Sequence, residues 1–239
     1  MDCDEYAFNK MKRKQNKDKI KLVDSSKIRF APEIEVELPM SKDSQKLIER
    51  NRTLRGWWTD FDGSLENGLE IKPKDSNKLY YNEETLLQLK EILALLRVHR
   101  AKIGKTCGLH IHVNVKNLTD KQILEIIKEF IIKQRYIVKR FEVHPDRLAD
   151  TCQLLPKEKL NKLTAKQIYN FRRQTQEWSY TGYNGLLDEK YRALNVSHLK
   201  EGDYGTLEFR LYDSTLSYKK LKEQILFTLT FIKDCLERE

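Results

Sequence analysis

Residues 33–38 alternate without a break, Glu33, Glu35 and Glu37 against Ile34, Val36 and Leu38. Successive side chains of a strand leave by opposite faces, so this segment presents one apolar and one acidic wall. The same division recurs in GLHIHVNV (residues 108–115), where His110, His112 and Asn114 oppose Leu109, Ile111, Val113 and Val115. It recurs again in GTLEFRLYD, where Glu208 and Arg210 stand two apart, and in GLEIKP, which carries Glu70. Set side by side, four such strands would build a sheet with one face covered by apolar partners and the other polar.

The segments between them supply the cover. WWTDFDGSLENGLEIKP reads as two short strands joined by Gly- and Asn-bearing turns. An apolar-rich helix is expected over about 83–102. TDKQ (119–122) and TAKQ (164–167) are capping boxes, opening one helix toward Arg140 and another toward Trp178. YRALNVSHL and GTLEFRLYD read as strands, and a last helix is expected over about 218–235. Helices intervene irregularly and neighbouring strands share tight turns, which favours α+β with a mainly antiparallel sheet. There is no GxGxxG or GxxxxGK[ST] phosphate loop, so a nucleotide would have to be held another way.

The chain of 239 residues has a net charge of +9. Much of that charge sits in KMKRKQNKDKIK (10–21), with seven basic residues and one acidic. Residues 1–26 are therefore expected to form a solvated, poorly ordered basic arm, with a domain of catalytic size over 27–239. The arm could grip phosphate-rich partners such as nucleic acid, though nothing in the sequence indicates that contact. Cys3, Cys107, Cys152 and Cys235 lie far apart with no CxxC pair, which argues against a zinc ribbon or disulfide framework. No apolar run reaches the roughly 18 residues that span a bilayer. The expected setting is cytoplasmic, with no membrane contact.

A lone ExE strand is usually a solvated face, and an HxH pair is as often structural as functional. What distinguishes these faces is their composition, Glu, His and Arg with little Lys. Clustered carboxylates repel one another unless a cation sits among them. Hard divalent ions favour oxygen ligands and keep places for water and substrate phosphates, and an arginine beside them can grip a phosphate or carboxylate. The residues themselves thus point to metal-assisted phosphate chemistry.

EIEVE, DGSLENGLEIKP, CGLHIHVNV, YRALNV and GTLEFRLYDSTL, in this order, resemble the amidoligase family, carboxylate–amine ligases related to glutamine synthetase and glutamate–cysteine ligase. HPDRLADTC (144–152) is similar to that family's Arg-containing segment. The resemblance implies a glutamine-synthetase-like curved, mainly antiparallel sheet with helices on its convex face. It implies ATP-dependent amide formation through an acyl phosphate, with Mg2+ (or Mn2+) and with a carboxylate and an amine of unknown identity as substrates. Carried over by motif, Glu33, Glu35, Glu70 and Glu208 are expected as metal ligands. His110 and His112 are expected against metal or nucleotide phosphate, His112 preferred. Asn195 is expected as a cofactor or substrate contact. Arg210, Arg192 and Asp62 are expected in catalysis, Arg210 on the transferred phosphoryl group or the substrate carboxylate, Arg192 as a phosphate or substrate contact, and Asp62 orienting the amine or its loop. One departure is Ala31–Pro32, where the family has a small residue, often glycine, before the first glutamate.

Two rival readings use the same residues. A metal-dependent hydrolase or nuclease would activate water with the carboxylates and histidines, but does not account for the ExR strand. A non-catalytic nucleic-acid-binding or assembly protein would keep the sheet as scaffold only. Trp57 and Trp58 are expected in the core, and Cys107 as a buried structural thiol, since amide ligation of this type needs no thiolate.

Overall fold

The computed structural model of the protein describes residues 28–39, 51–62, 68–75, 79–174 and 191–237. The basic arm lies outside them. Among these residues seven strands form one open sheet: β1 (Arg29–Glu37), β2 (Trp57–Asp62), β3 (Gly68–Pro73), β4 (Leu79–Tyr80), β5 (Gly108–Asn114), β6 (Leu194–Asn195) and β7 (Thr206–Asp213). Their order is β2-β3-β1-β5-β7-β6, with β4 paired to the start of β1, and every pairing is antiparallel. Five α-helices accompany them among the described residues: α1 (Glu83–Val98), α2 (Asp120–Phe141), α3 (Pro145–Ala149), α4 (Ala165–Arg172) and α5 (Tyr218–Leu236). The protein is therefore α+β with a mostly antiparallel sheet, as the alternation predicts.

Helix starts follow the expected chemistry. Thr119 and Thr164 each close a capping box, with Gln122 and Gln167, so that two otherwise unsatisfied donors are met at each helix start. α1 stops at Val98, short of the expected Lys102. Arg100 takes a left-handed φ of 56°, and the Ala101 N–H returns to the Leu96 carbonyl at 3.0 Å, a Schellman closure formed without glycine. The helix expected toward Trp178 is regular to Arg172, and residues 175–190 lie outside the described structure. The strand expected over YRALNVSHL is only Leu194–Asn195; Ser197–Leu199 instead forms a 3₁₀ turn.

The apolar sheet face carries Ile34, Val36, Leu109, Ile111, Val113 and Phe209, all buried. The helices pack against it. Phe130 of α2 meets Phe209 edge-on at 5.5 Å and Phe231 of α5 at 6.3 Å. Each fully buried side chain of this size contributes about 1.5–3 kcal/mol, so the apolar face anchors the sheet and leaves its opposite face free for other chemistry. Trp57 joins this core as expected. Trp58 points the other way, is 53% exposed and lies under Lys74 Nζ, 4.9 Å from its ring centre.

Pro32 sits where a missing N–H does least harm. On one side of β1 the partner changes from β4, paired at Arg29 and Phe30, to β3, paired at Ile34–Glu37. Pro32 falls in the gap between them, where that edge has no ladder bond to lose. No helix among the described residues is long and apolar enough to cross a membrane.

Candidate functional site

Strand register assembles the polar face. Directly opposed pairs share a face, and here Asp60 opposes Glu70, Glu70 opposes Glu35, Glu33 opposes His110, His112 opposes Glu208, and Glu208 opposes Asn195. Ala31 opposes His112, so the small residue before the first glutamate leaves room beside the imidazole.

One irregularity matters. Leu109 opposes Tyr212 while Ile111 opposes Phe209, so two steps along β5 match three along β7. This β-bulge shifts the alternation. Phe209 and Tyr212, three residues apart, both enter the core, where Tyr212 Oη contacts Thr228 Oγ1 at 2.8 Å. Asp213 is returned to the polar side, and its carboxylate accepts from the His144 N–H at 3.1 Å. The Arg210 N–H donates to the Ala193 carbonyl (3.0 Å), and the Arg210 carbonyl accepts from Arg147 Nη2 (2.7 Å). Unbroken alternation along β7 would put Tyr212 on the Glu208 face and Asp213 in the core, and the bulge reverses both.

At the centre the contacts are short. His110 Nδ1 lies 3.5 Å from Glu33 Oε2 and 3.3 Å from Glu208 Oε1, and its Nε2 lies 3.2 Å from Glu35 Oε1. His112 Nε2 lies 3.2 Å from Glu33 Oε1 and 3.9 Å from Glu208 Oε1. Arg210 Nη1 donates to Glu208 Oε1 at 2.6 Å. Asn195 Nδ2 donates to Glu208 Oε2 at 2.5 Å, while its Oδ1 accepts from the Ser197 N–H. Both ends of the Asn195 amide are thus used to orient Glu208 and the turn that follows. Glu35 accepts from the Gly108 N–H at 2.6 Å.

Glu70 lies at the outer margin. Lys72 Nζ stands 3.0 Å from both Glu70 and Asp60, so a lysine compensates the edge of this otherwise lysine-poor face. Arg192 Nη1 donates to Gln153 Oε1 (3.2 Å) and more weakly to the Leu154 carbonyl, contacts that tie it to the segment after α3. Asp62 ends β2 opposite Gly68, and its side chain lies outside the described structure, as do Gly63–Leu65 of its DGSL turn. Cys107 is buried, and burial pushes its thiol up to about 11, so it is no thiolate at neutral pH.

His198 is the residue that sequence reasoning missed. In a continuous strand it would face away from Asn195. The 3₁₀ turn breaks that alternation and brings its ring to 5.0 Å from that of His112. Its Nε2 reaches Glu208 Oε2 (3.4 Å) and its Nδ1 reaches Asp203 Oδ2 (3.0 Å). Gly205, at φ 69°, lets the chain turn back from this loop into β7, its N–H bonding the His198 carbonyl at 2.8 Å. The signal available in the sequence was weak: a histidine five residues before an aspartate and a glycine before the next strand.

The charges settle one another. Burial acts to raise Glu33, but the imidazoles of His112 and His110 outweigh it and hold the carboxyl well below its ordinary range. Burial is likewise outweighed at Glu208, by His112, His198, Arg210 and His110, and its carboxyl is lowered strongly. Glu70 moves the other way, raised by burial and by Glu33 against the pull of Lys72. His112 is raised because Glu33 and Glu208 overcome its complete burial. Burial also works against His198, but Asp203 and Glu208 lift it to about 9. A raised folded-state pKa stabilises the fold fully below the unfolded value and ceases to do so above the folded one. In the metal-free chain, the His198 contribution should be intact at pH 6 and lost as pH rises from about 6.5 through about 9. Denaturant midpoints across that range should fall, and less steeply in Asp203→Asn. Equal slopes would remove His198 as the group responsible.

The donor set fits metal. Nε2 of His110 and of His112 are buried, each 3.2 Å from a carboxylate oxygen, and neither has a well-directed hydrogen bond. Among the described residues, two groups offer ligand atoms within 4.8 Å of one another, Glu33–His110–Glu208 and His112–His198–Glu208. An antiparallel sheet with carboxylates, imidazoles and arginine on one face is a surface suited to multivalent ions and phosphoryl groups. A family model described as "Putative amidoligase enzyme" matches residues 8–232. The chain belongs to this amidoligase family, whose name denotes a ligase-type enzyme. No match was found among curated proteins or among solved structures.

Proposed function

We propose that the protein is an ATP-dependent carboxylate–amine ligase acting through an acyl phosphate, on a sheet of the glutamine-synthetase type. The observation that carries this reading is the convergence of Glu33, His110, His112, Glu208 and Arg210 from three adjacent strands. Family membership supports it.

The substrate carboxylate attacks the terminal phosphorus of ATP, and the bond to ADP breaks. The amine nitrogen then attacks the acyl carbon, phosphate leaves, and the nitrogen gives up a proton. A carboxylate is a poor electrophile at neutral pH, and phosphorylation supplies the leaving group. Charge stabilisation carries most of such a reaction. Glu33, Glu35 and Glu208 would hold Mg2+, with Glu70 at the margin; when bound, the ion neutralises the phosphate oxygens. His110 and His112 have Nε2 atoms to offer to metal or phosphate. Arg210 has a buried Nε that makes no hydrogen bond, suited to an anionic oxygen of the transferred group or substrate. Asn195 sets Glu208, and Arg192 and Asp62 are proposed toward the substrates.

The test is phosphate release from ATP and Mg2+ over panels of amino acids, peptides and amines, with hydroxylamine added to trap the acyl phosphate as a hydroxamate. Release requiring both a carboxylate and an amine is expected, with hydroxamate formed when hydroxylamine replaces the amine. Metal-dependent nucleic-acid cleavage without ATP, and no ATP turnover on any panel, would replace this reading with a hydrolase.

A further inference from the structure

We infer that His112, His198 and Glu208 form a second, distinct metal position, built for a borderline ion of the zinc class rather than for magnesium. It goes beyond amide ligation and stands whether or not that is the reaction.

The donors are two imidazoles and one carboxylate. Hard Mg2+ takes oxygen ligands in a near-octahedral shell, whereas imidazole suits zinc, cobalt and their neighbours. Two histidines, a glutamate and an open fourth place is a set that zinc enzymes use to bind a water or substrate atom. Bonds of about 2.0–2.1 Å in a tetrahedral shell put ligand atoms roughly 3.3 Å apart. His198 Nε2 and Glu208 Oε2 are 3.4 Å apart, His112 Nε2 lies 3.9 Å from the other oxygen of Glu208, and one ligand atom from each of the three residues lies within 4.8 Å of the other two, a spread that small side-chain rotations would close on an ion.

The surroundings carry the inference further than the three donors. His112 is 97% buried by its 3% exposure, and its Nε2 makes no hydrogen bond. Its other nitrogen, Nδ1, is held by Thr206 Oγ1 at 3.1 Å. In the neutral tautomer that donates Nδ1–H to Thr206, Nε2 is left for the ion, which takes the place of the proton there. His198 repeats the arrangement, Nδ1 on Asp203 and Nε2 toward Glu208. Glu208 is oriented by Asn195 and Arg210. Every ligand thus has an outer partner that fixes which atom faces the ion, as metal-binding histidines characteristically do. The two oxygens of Glu208 lean opposite ways, Oε1 to His110 and Oε2 to His198, so one carboxylate serves both positions.

The experiment uses the full chain, stripped with chelator and free of ATP, with Co2+ as a visible-absorption probe and Zn2+ as competitor. Wild-type protein should bind Co2+ with ligand-field bands that Zn2+ removes and a large excess of Mg2+ does not. Asp203→Asn should weaken Co2+ binding on the order of 10–100-fold, and His198→Gln by more. His144→Gln, altering a part-exposed histidine at the start of α3, should leave it unchanged. Circular dichroism checks that the variants fold, and if His198→Gln does not, Asp203→Asn decides. Wild-type affinity in the decisive variant, or bands that Mg2+ displaces, would overturn the inference. Loss of ligation with these spectra intact would instead count against the ligase reading alone.

Discussion

Replacing Glu208 by alanine should cost both the reaction and much of the fold's stability. Its carboxylate is 2% exposed and is the meeting point of Arg210, Asn195, His110, His112 and His198. Removing one member of a buried charge network strands the others, which typically costs about 3–5 kcal/mol. Against a total stability of about 5–15 kcal/mol, that is a large share. Metal-dependent phosphate release should fall on the order of a thousandfold or more, since the charge that aligns both imidazoles and the arginine is gone. Urea unfolding and the phosphate assay read the two effects separately. Turnover at the wild-type rate would show that this cluster is not the reaction centre.

Gly108→Ala tests a less visible support. A β-carbon there would lie 2.5 Å from both terminal nitrogens of Arg147 and 2.8 Å from its Cζ. Arg147 cannot give way easily. It is fully buried, donates to the Thr106 carbonyl at 2.5 Å and the Arg210 carbonyl at 2.7 Å, and lies near Asp213 and Glu35. Overpacking of this kind costs about 1–3 kcal/mol, and here it also presses on the β7 bulge and on Glu35, which the Gly108 N–H holds. In a cycle with Arg147→Met, the two changes should be clearly non-additive, because they share one contact. Additive unfolding energies would mean that Gly108 and Arg147 do not constrain each other. The family-like segment that carries Arg147 thus contributes a brace to the site.

Much of this was readable in advance because strand alternation is local chemistry. Glu33 and Glu35, His110 and His112, and Glu208 with Arg210 could be assigned to faces from spacing alone. The capping boxes at Thr119 and Thr164 marked helix starts for the same reason. Where a local rule was interrupted, the reading failed. The strand expected through His198 gave way to a turn after Asn195, whose side chain bonds forward to the Ser197 N–H and across to Glu208. The parity of Tyr212 and Asp213 was reversed by an extra residue in β7 that only its pairing with β5 reveals.

By itself, the sequence determined an α+β chain with an antiparallel sheet, one apolar and one ionic face, and the order of motifs that marks an amidoligase. Those follow from side-chain period, charge and chain order, which need no distant partner. Tertiary structure alone decided that Glu208 lies between His110 and His198, that Lys72 neutralises the edge at Glu70, and that Arg147 is buried over Gly108. Each of these depends on which strand lies beside which and in what register, and hydrogen bonding between residues far apart in the chain sets that register.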